Sequence, residues 1–121
     1  MTAFTIVKDY FPGAIGRVAE LHADYYHRQW GFGRFFEAKV ATELAAFFSR
    51  YDDARDGFWA VCKKERLEGA IVIDGKDAAG QGAHLRWFIV SDGERSQGAG
   101  NRLIQTCLLY TSDAADDVST V

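Results

Sequence analysis

Residues 83–104 read AHLRWFIVSDGERSQGAGNRLI, an apolar strand-like run, a short polar turn and the opening of a helix in direct succession. The turn Arg95-Ser96-Gln97-Gly98-Ala99-Gly100 puts glycines where the strand hands over to the helix. Glycine there lets backbone N–H groups approach an anion, and the positive end of the helix dipole adds to the attraction. On these six residues alone two readings stand side by side, a phosphate cradle and a plain turn. Two common cradles are excluded by what is missing. A P-loop closes on Gly-Lys followed by Ser or Thr, and a dinucleotide fold needs Gly-x-Gly-x-x-Gly with an acidic residue about 20 positions on. This stretch has neither.

The periodicities upstream set the context of that turn. Phe4-Thr5-Ile6-Val7 predicts a short strand. Pro12 suits the first position of a helix, and Ile15, Val18, Leu21 and Tyr25 recur at helical spacing to about Gln29, with Gly31 and Gly33 ending the run. A second helix carries Phe36, Val40, Leu44, Phe47 and Phe48 on one stripe, with Glu37, Lys39, Glu43 and Arg50 largely off it. Large aromatics in such stripes predict core rather than ligand contacts. Asp52, Asp53 and Asp56 with Gly57 predict a solvated exit loop.

From Phe58 the period changes to two. Phe58–Cys62 predicts a strand, Lys63 to Glu68 a charged turn, Gly69–Ile73 its partner strand, Gly75–Gly82 a second hairpin loop, and His84–Val90 the strand that feeds the glycine turn. On that last strand alternation puts His84 and Arg86 on the face of Phe88 and Val90, within reach of a cleft. A lone His on a strand is more often structural than catalytic.

At 121 residues the chain predicts one domain able to bury a core without disulfides or metal. Cys62 and Cys107 form no Cys-x-x-Cys pair, and His22, His27 and His84 are scattered, so no metal site is expected and Cys62 is expected to pack as a small apolar residue. Asp113, Asp116 and Asp117 lie in the last fifteen residues, which hold no Lys or Arg; without them the acidic count falls from 17 to 14, equal to the 14 basic residues. A neutral body gives no electrostatic footprint for nucleic acid. No apolar run approaches the ~18 residues of a membrane span and no basic-then-apolar leader opens the chain, which predicts a cytoplasmic protein without a membrane partner.

Arg95-x-x-Gly98-x-Gly100 after Phe88-Ile89-Val90 resembles the signature of the GNAT family of acyl-CoA-dependent N-acetyltransferases: Arg or Gln, two residues, Gly, one residue, then Gly or Ala. The upstream order of strand, two helices and three antiparallel strands is similar to the N-terminal two thirds of that family's domain. Pro12-Gly13-x-Ile15-Gly16, Leu21-His22 with Tyr25 and Tyr26, Trp30-Gly31, Phe36-Glu37-Ala38 and Leu85-Arg86 with Val90 resemble more closely the GNAT half of proteins that fuse it to a MarR-type regulator. The resemblance implies an α/β (α+β) fold, a mostly antiparallel sheet flanked by helices, lacking its C-terminal strands and helix.

It implies acetyl-CoA as co-substrate, with no metal. The backbone amides of Gln97, Gly98, Ala99, Gly100 and Asn101 would hold its diphosphate, Arg95 would open the motif, and the backbone of Ile89 and Val90 would pair with pantetheine. The implied activity is acetyl transfer to a primary amine on a small molecule or a protein, with a homodimer admitted in the intact parent. No catalytic acid or base is assignable, and Glu37 and Glu43 stand no better than surface charges as acceptor-pocket residues. Two other classes remain open: a non-catalytic acyl-CoA-binding or sensing domain, and an interaction module in which the turn is only a turn.

Cys107 to Asp117 resembles the translation of a transposase-type sequencing adapter. Residues 1–106 are therefore expected to be a partial GNAT domain and 107–121 a non-native tail, against the alternative of an ordinary acidic, flexible C-terminus. Leu103, Ile104, Cys107 and Leu108 keep helical spacing across the junction, so the helix is expected to continue through it. The family's later strand, and the helix whose Tyr protonates the departing thiolate, would then be missing. Tyr110, inside the tail, is no candidate for that acid, and the chain as it stands is expected to be an inactive fragment.

Overall fold

Strands β1 (Thr5–Lys8), β2 (Gly57–Lys63), β3 (Arg66–Asp74) and β4 (Ala83–Val90) pair antiparallel in chain order, in a computed structural model that describes residues 4–76, 80, 82–95, 97–114 and 118–119. The central strands β2 and β3 are apolar and buried along nearly their whole length because helices cover both faces of the sheet. Helices α1 (Ala14–Trp30) and α2 (Arg34–Ser49) pack on one face against Phe58, Ala60, Ala70 and Val72. On the other face Trp59, Val61, Ile71 and Ile73 meet Ala99, Leu103 and Cys107 of the long C-terminal helix. Successive side chains of each strand thus feed two separate cores. The four strands and their flanking helices make the α+β architecture that the sequence predicts.

The junctions differ from expectation in four places, each for a local reason. Pro12 precedes the helix instead of opening it: Gly13, at φ 92°, caps α1, and the Ala14 N–H donates to the Phe11 C=O at 3.0 Å. The expected six-residue charged turn contracts to Lys64-Glu65, both left-handed at φ 54° and 63°, a two-residue turn whose twist matches the strands it joins. Arg66 to Glu68 are thereby recruited into β3.

Asp56 is no solvated turn residue. It is fully buried, its Oδ1 accepting from the Gly75 N–H at 2.8 Å and its Oδ2 from the Asp52 N–H at 3.0 Å, so that it ties the exit of α2 to the end of β3. The sheet also carries a strand more than predicted: the two residues β5 (Val118–Ser119) lie parallel to Ala83 and His84 at the start of β4. Residues 77–79 and 81 of the predicted second hairpin loop lie outside the described residues.

A bulge in β4 positions the site. Ala70 pairs with Ile89 and Val72 with Arg86, so Ile71 alone faces the two residues Trp87 and Phe88, and Trp87 takes φ 47°. The extra residue switches the faces beyond it. Arg86 lies on the α2 side, where it reaches Glu43, whereas Phe88 and Val90 lie on the opposite side against Gly100. The expected common face of His84, Arg86, Phe88 and Val90 does not exist.

Candidate functional site

Below the bulge, β4 ends at Val90 and the chain turns through the single helical turn α3 (Asp92–Arg95) and Gln97-Gly98 into α4 (Ala99–Ala114). Three backbone bonds shape the turn. The Ser91 N–H donates to the Glu68 C=O at 2.7 Å, the Glu94 N–H to the Ser91 C=O at 3.0 Å, and the Gln97 N–H to the Glu94 C=O at 3.1 Å. Gly98 then takes φ 82°, where a side chain would be strained, and the space beside its Cα is open. The first intrahelical bond of α4 is donated by Arg102 to Gly98 at 3.1 Å, and a helix's first N–H groups have no partner within the helix itself. Of the amides that the sequence assigns to an anion, Gln97's is thus spent inside the turn, and those of Gly98, Ala99, Gly100 and Asn101 stand at the positive end of α4.

A cleft of about 390 Å³ opens here, lined by Tyr25 and Tyr26 of α1, Phe88, Ile89 and Val90 of β4, and Arg95 and Gly100. Gly100 matters because an added Cβ would touch the Phe88 ring at 3.4 Å. The outer edge of β4 is paired by β5 only at Ala83 and His84, which leaves the bulge and Ile89-Val90 without a strand partner on that side among the described residues. Ser96 lies outside the described residues.

Arg95 spans the mouth of the cleft: its guanidinium lies 4.5 Å from the Tyr25 ring centroid and 2.6 Å from Asp92. Asp92 in turn pairs with Arg28 at 2.8 Å, and Arg28 with Asp24 at 2.9 Å. This chain of charges lashes α3 to α1 across the cleft. Beneath Tyr26, at 6.4 Å between stacked rings, His22 is buried with its Nδ1 2.9 Å from the Val18 C=O. Burial lowers the pKa of His22, opposed by that carbonyl.

The side chains that sequence reasoning brought near chemistry are engaged elsewhere. Arg86 bonds Asp74 at 2.9 Å, stacks 3.9 Å from the Trp87 ring and lies 3.6 Å from Glu43. Asp74 also receives Arg50 at 2.8 Å and the Lys76 N–H at 3.2 Å. Burial pushes its carboxyl up, but those hydrogen bonds and the Arg50 charge outweigh burial and bring it down to about 2. Burial, with a smaller push from Glu68, raises the Cys62 thiol, and burial alone takes Cys107 to about 11; both are packed, protonated thiols. Glu37 is exposed, and Glu43 pairs with Lys39 at 2.5 Å.

Glu94 was not foreseen. It is buried on α3, its Oε2 lies 3.0 Å from Lys63 Nζ at the end of β2, and its Oε1 has no hydrogen-bond partner among the described residues. Only its place between the strand and the glycines marks it in the sequence, because a Glu in a polar turn carries no sign of burial.

Among the described residues no group of three or more His, Cys, Asp or Glu could hold a metal ion, and no helix is long and apolar enough to cross a membrane. A family model described as the acetyltransferase (GNAT) family matches residues 15–116. No curated protein matches the chain. Solved structures do. A GNAT-family acetyltransferase from Staphylococcus aureus Mu50 superposes with a TM-score of 0.70 at 14% identity, over 92% of this chain and 67% of that one. A protein from Pyrococcus horikoshii OT3 gives 0.74 at 16% identity, over 98% and 77%. A structure from Clostridium acetobutylicum, of a predicted acetyltransferase with acetyl-CoA, gives 0.68 at 8% identity, over 98% and 80%. At such identities the likeness is one of fold.

Proposed function

The chain belongs to the acetyltransferase (GNAT) family, and from that premise we propose that its cleft takes the diphosphate and pantetheine arm of acetyl-CoA and that the intact protein passes the acetyl group to a primary amine. One observation carries the reading: the stretch of β4 from the bulge to Val90, without a strand partner on its outer side among the described residues, runs directly into a left-handed Gly98 and a helix N-terminus. The residues fit the ligand. Space stands open above Gly98, the amides from Gly98 to Asn101 meet negative charge, and Ile89 and Val90 offer strand-type hydrogen bonds to a pantetheine amide.

When bound, acetyl-CoA supplies an activated acetyl thioester. The chain's own part is to position it and to keep water from it. Tyr25, Tyr26 and Phe88 give an apolar wall, and Arg95 adds a positive charge at the mouth. Backbone donors at the bulge are the groups available to a developing oxyanion. Calorimetric titration of coenzyme A into the chain tests the reading. Saturable binding that Gly98→Val abolishes is expected; no binding by a folded chain overturns it.

A second reading has its own observation: among the described residues the cleft lining holds no carboxylate and no imidazole. That favours a domain that binds acyl-CoA without transferring the acyl group. Enzymatic turnover over a panel of amines separates the two.

Three further assignments belong to the same proposal. The stretches from Pro12 to Val90 favour the GNAT half of MarR-type fusions as the subgroup. The free thiols of Cys62 and Cys107 suit the reducing cytoplasm. The adapter-like stretch favours a native sequence that diverges after Thr106, although α4 runs through that point and Cys107 packs in the core. Sequencing the source DNA across the Thr106 codon decides the last: an uninterrupted frame of different sequence is expected, and a source that encodes Cys107 to Val121 overturns it.

A further inference from the structure

Trp87 stands where a backbone of this shape is ordinarily given to glycine. Four non-glycine residues have positive φ among the described residues; Asp9, Lys64 and Glu65 lie outside the strands, and Trp87, at φ 47°, lies inside one. A bulge whose first residue is left-handed ordinarily has glycine there, because a Cβ at positive φ crowds the backbone. A bulky residue stays in that conformation only where its surroundings hold it.

The holding contacts lie on the sheet face away from the cleft. The Trp87 ring packs on the buried ring of Phe47 at 5.6 Å between centroids, and the Arg86 guanidinium covers it at 3.9 Å. Neighbours in a regular strand point to opposite faces, so this stack of consecutive side chains exists only while the bulge does. Arg86 is itself fixed, by Asp74 at 2.9 Å, and Asp74 by Arg50 at 2.8 Å. Ring packing and the cation–π contact thus oppose the strain of the left-handed backbone. The cleft lining contributed by β4 is Phe88, Ile89 and Val90, and Trp87 is not part of it. Any effect of Trp87 on the site passes through the backbone.

We infer that Trp87 is the positioning residue for the acyl end of the cleft. Its ring, wedged between Phe47 and Arg86, keeps the bulge turned so that its backbone N–H groups meet the carbonyl oxygen of the bound thioester. The inference rests on the acetyl-CoA reading above and adds to it the side chains that hold the donor in place.

Acetyl-CoA and S-ethyl-coenzyme A, equal in length and differing by the carbonyl oxygen, are titrated calorimetrically into the 121-residue chain and its variants. The wild type is expected to prefer acetyl-CoA about five-fold, the worth of one backbone hydrogen bond. Trp87→Ala loses the anchors and keeps a Cβ in the left-handed backbone. Its preference is expected to vanish while S-ethyl-coenzyme A binds as before. Trp87→Gly loses the same anchors but takes positive φ without strain, and is expected to restore most of the preference. A ring that served stability alone would move both variants alike. Arg86→Ala bares the same ring while Asp74 keeps Arg50. It is expected to fall between the wild type and Trp87→Ala, and it decides the matter should Trp87→Ala not fold. A preference intact in Trp87→Ala or in Arg86→Ala, or lost equally in the alanine and glycine variants at position 87, overturns the inference. So does a wild type that binds both ligands equally. A folded wild type that binds neither ligand strikes the proposed function, and the inference with it.

Discussion

Gly98 is the residue on which the site turns, and its sequence signal was direct. Only a glycine takes φ 82° without strain, and the position follows Arg95 at the expected spacing. Gly98→Val would cost about 1–2 kcal/mol of backbone strain and place methyl groups over the open approach to the helix N-terminus. The expected result is a stable variant, a few degrees lower in melting temperature, that no longer binds coenzyme A in a thermal-shift titration. Asp74 carries a different prediction. Held at about 2 against an ordinary 3.8, its folded carboxyl binds fewer protons than the unfolded chain's across that interval. Its contribution, about 2 kcal/mol, is therefore fully present above about pH 5 and drains as pH falls towards 2. His22 adds to the same slope from higher pH: its lowered pKa makes stability present above 6.5 and lost below it. Urea midpoints between pH 7 and pH 3 should fall for the wild type and flatten at the acid end for Asp74→Asn. An unchanged acid slope in that variant would place the titration elsewhere.

At the scale of elements, what the sequence showed and what it hid separate cleanly. The helices and the two hairpins follow from periodicity, because a 3.6-residue stripe and a two-residue alternation each recruit their own burial. The bulge in β4 was invisible: His84, Arg86, Phe88 and Val90 alternate without a break, and nothing in AHLRWFIV says that Trp87 will adopt a left-handed φ. Register is a property of two strands, and only pairing with Gly69 to Asp74 creates the surplus residue. Asp56 and Glu94 were hidden for a related reason, since their partners lie 19 and 31 residues away. The Lys63–Glu94 pair ties the turn before the cradle to β2, at 3.0 Å and largely out of water. Removing one partner of such a pair leaves a buried charge, whereas replacing both need not. Glu94→Leu and Lys63→Met should each destabilise the chain by about 2–4 kcal/mol and weaken coenzyme A binding. The double variant Glu94→Leu with Lys63→Met should recover most of the stability without recovering the affinity. Additive losses in that double-mutant cycle would show the pair to be uncoupled.

For the molecule as a whole, the two cores and the open stretch of β4 divide rigidity from function. The β2–β3 pair lies between helices on both faces, and its Phe58, Val61, Ile71 and Val72 are each almost wholly inaccessible. β4 is the other extreme: antiparallel bonds to β3 on one side, and on the other, among the described residues, a parallel partner at Ala83 and His84 only. Local opening free energies follow that difference, because amides inside the core exchange through global unfolding and those on an open edge through small fluctuations. A ligand that adds its own hydrogen bonds to the edge should slow exchange there and nowhere else beyond the glycine turn. Hydrogen–deuterium exchange with and without coenzyme A is therefore expected to protect Ile89, Val90 and Gly98 to Asn101, and to leave Trp59–Cys62 and Ala70–Ile73 as they were. Protection confined to the turn would mean that the diphosphate is held and the pantetheine is not, which would move the thioester away from the bulge and remove Phe88 and Tyr26 from its surroundings. Protection spread evenly over both cores would mean that the ligand stabilises the fold globally, and that the edge of β4 has no special part in holding it.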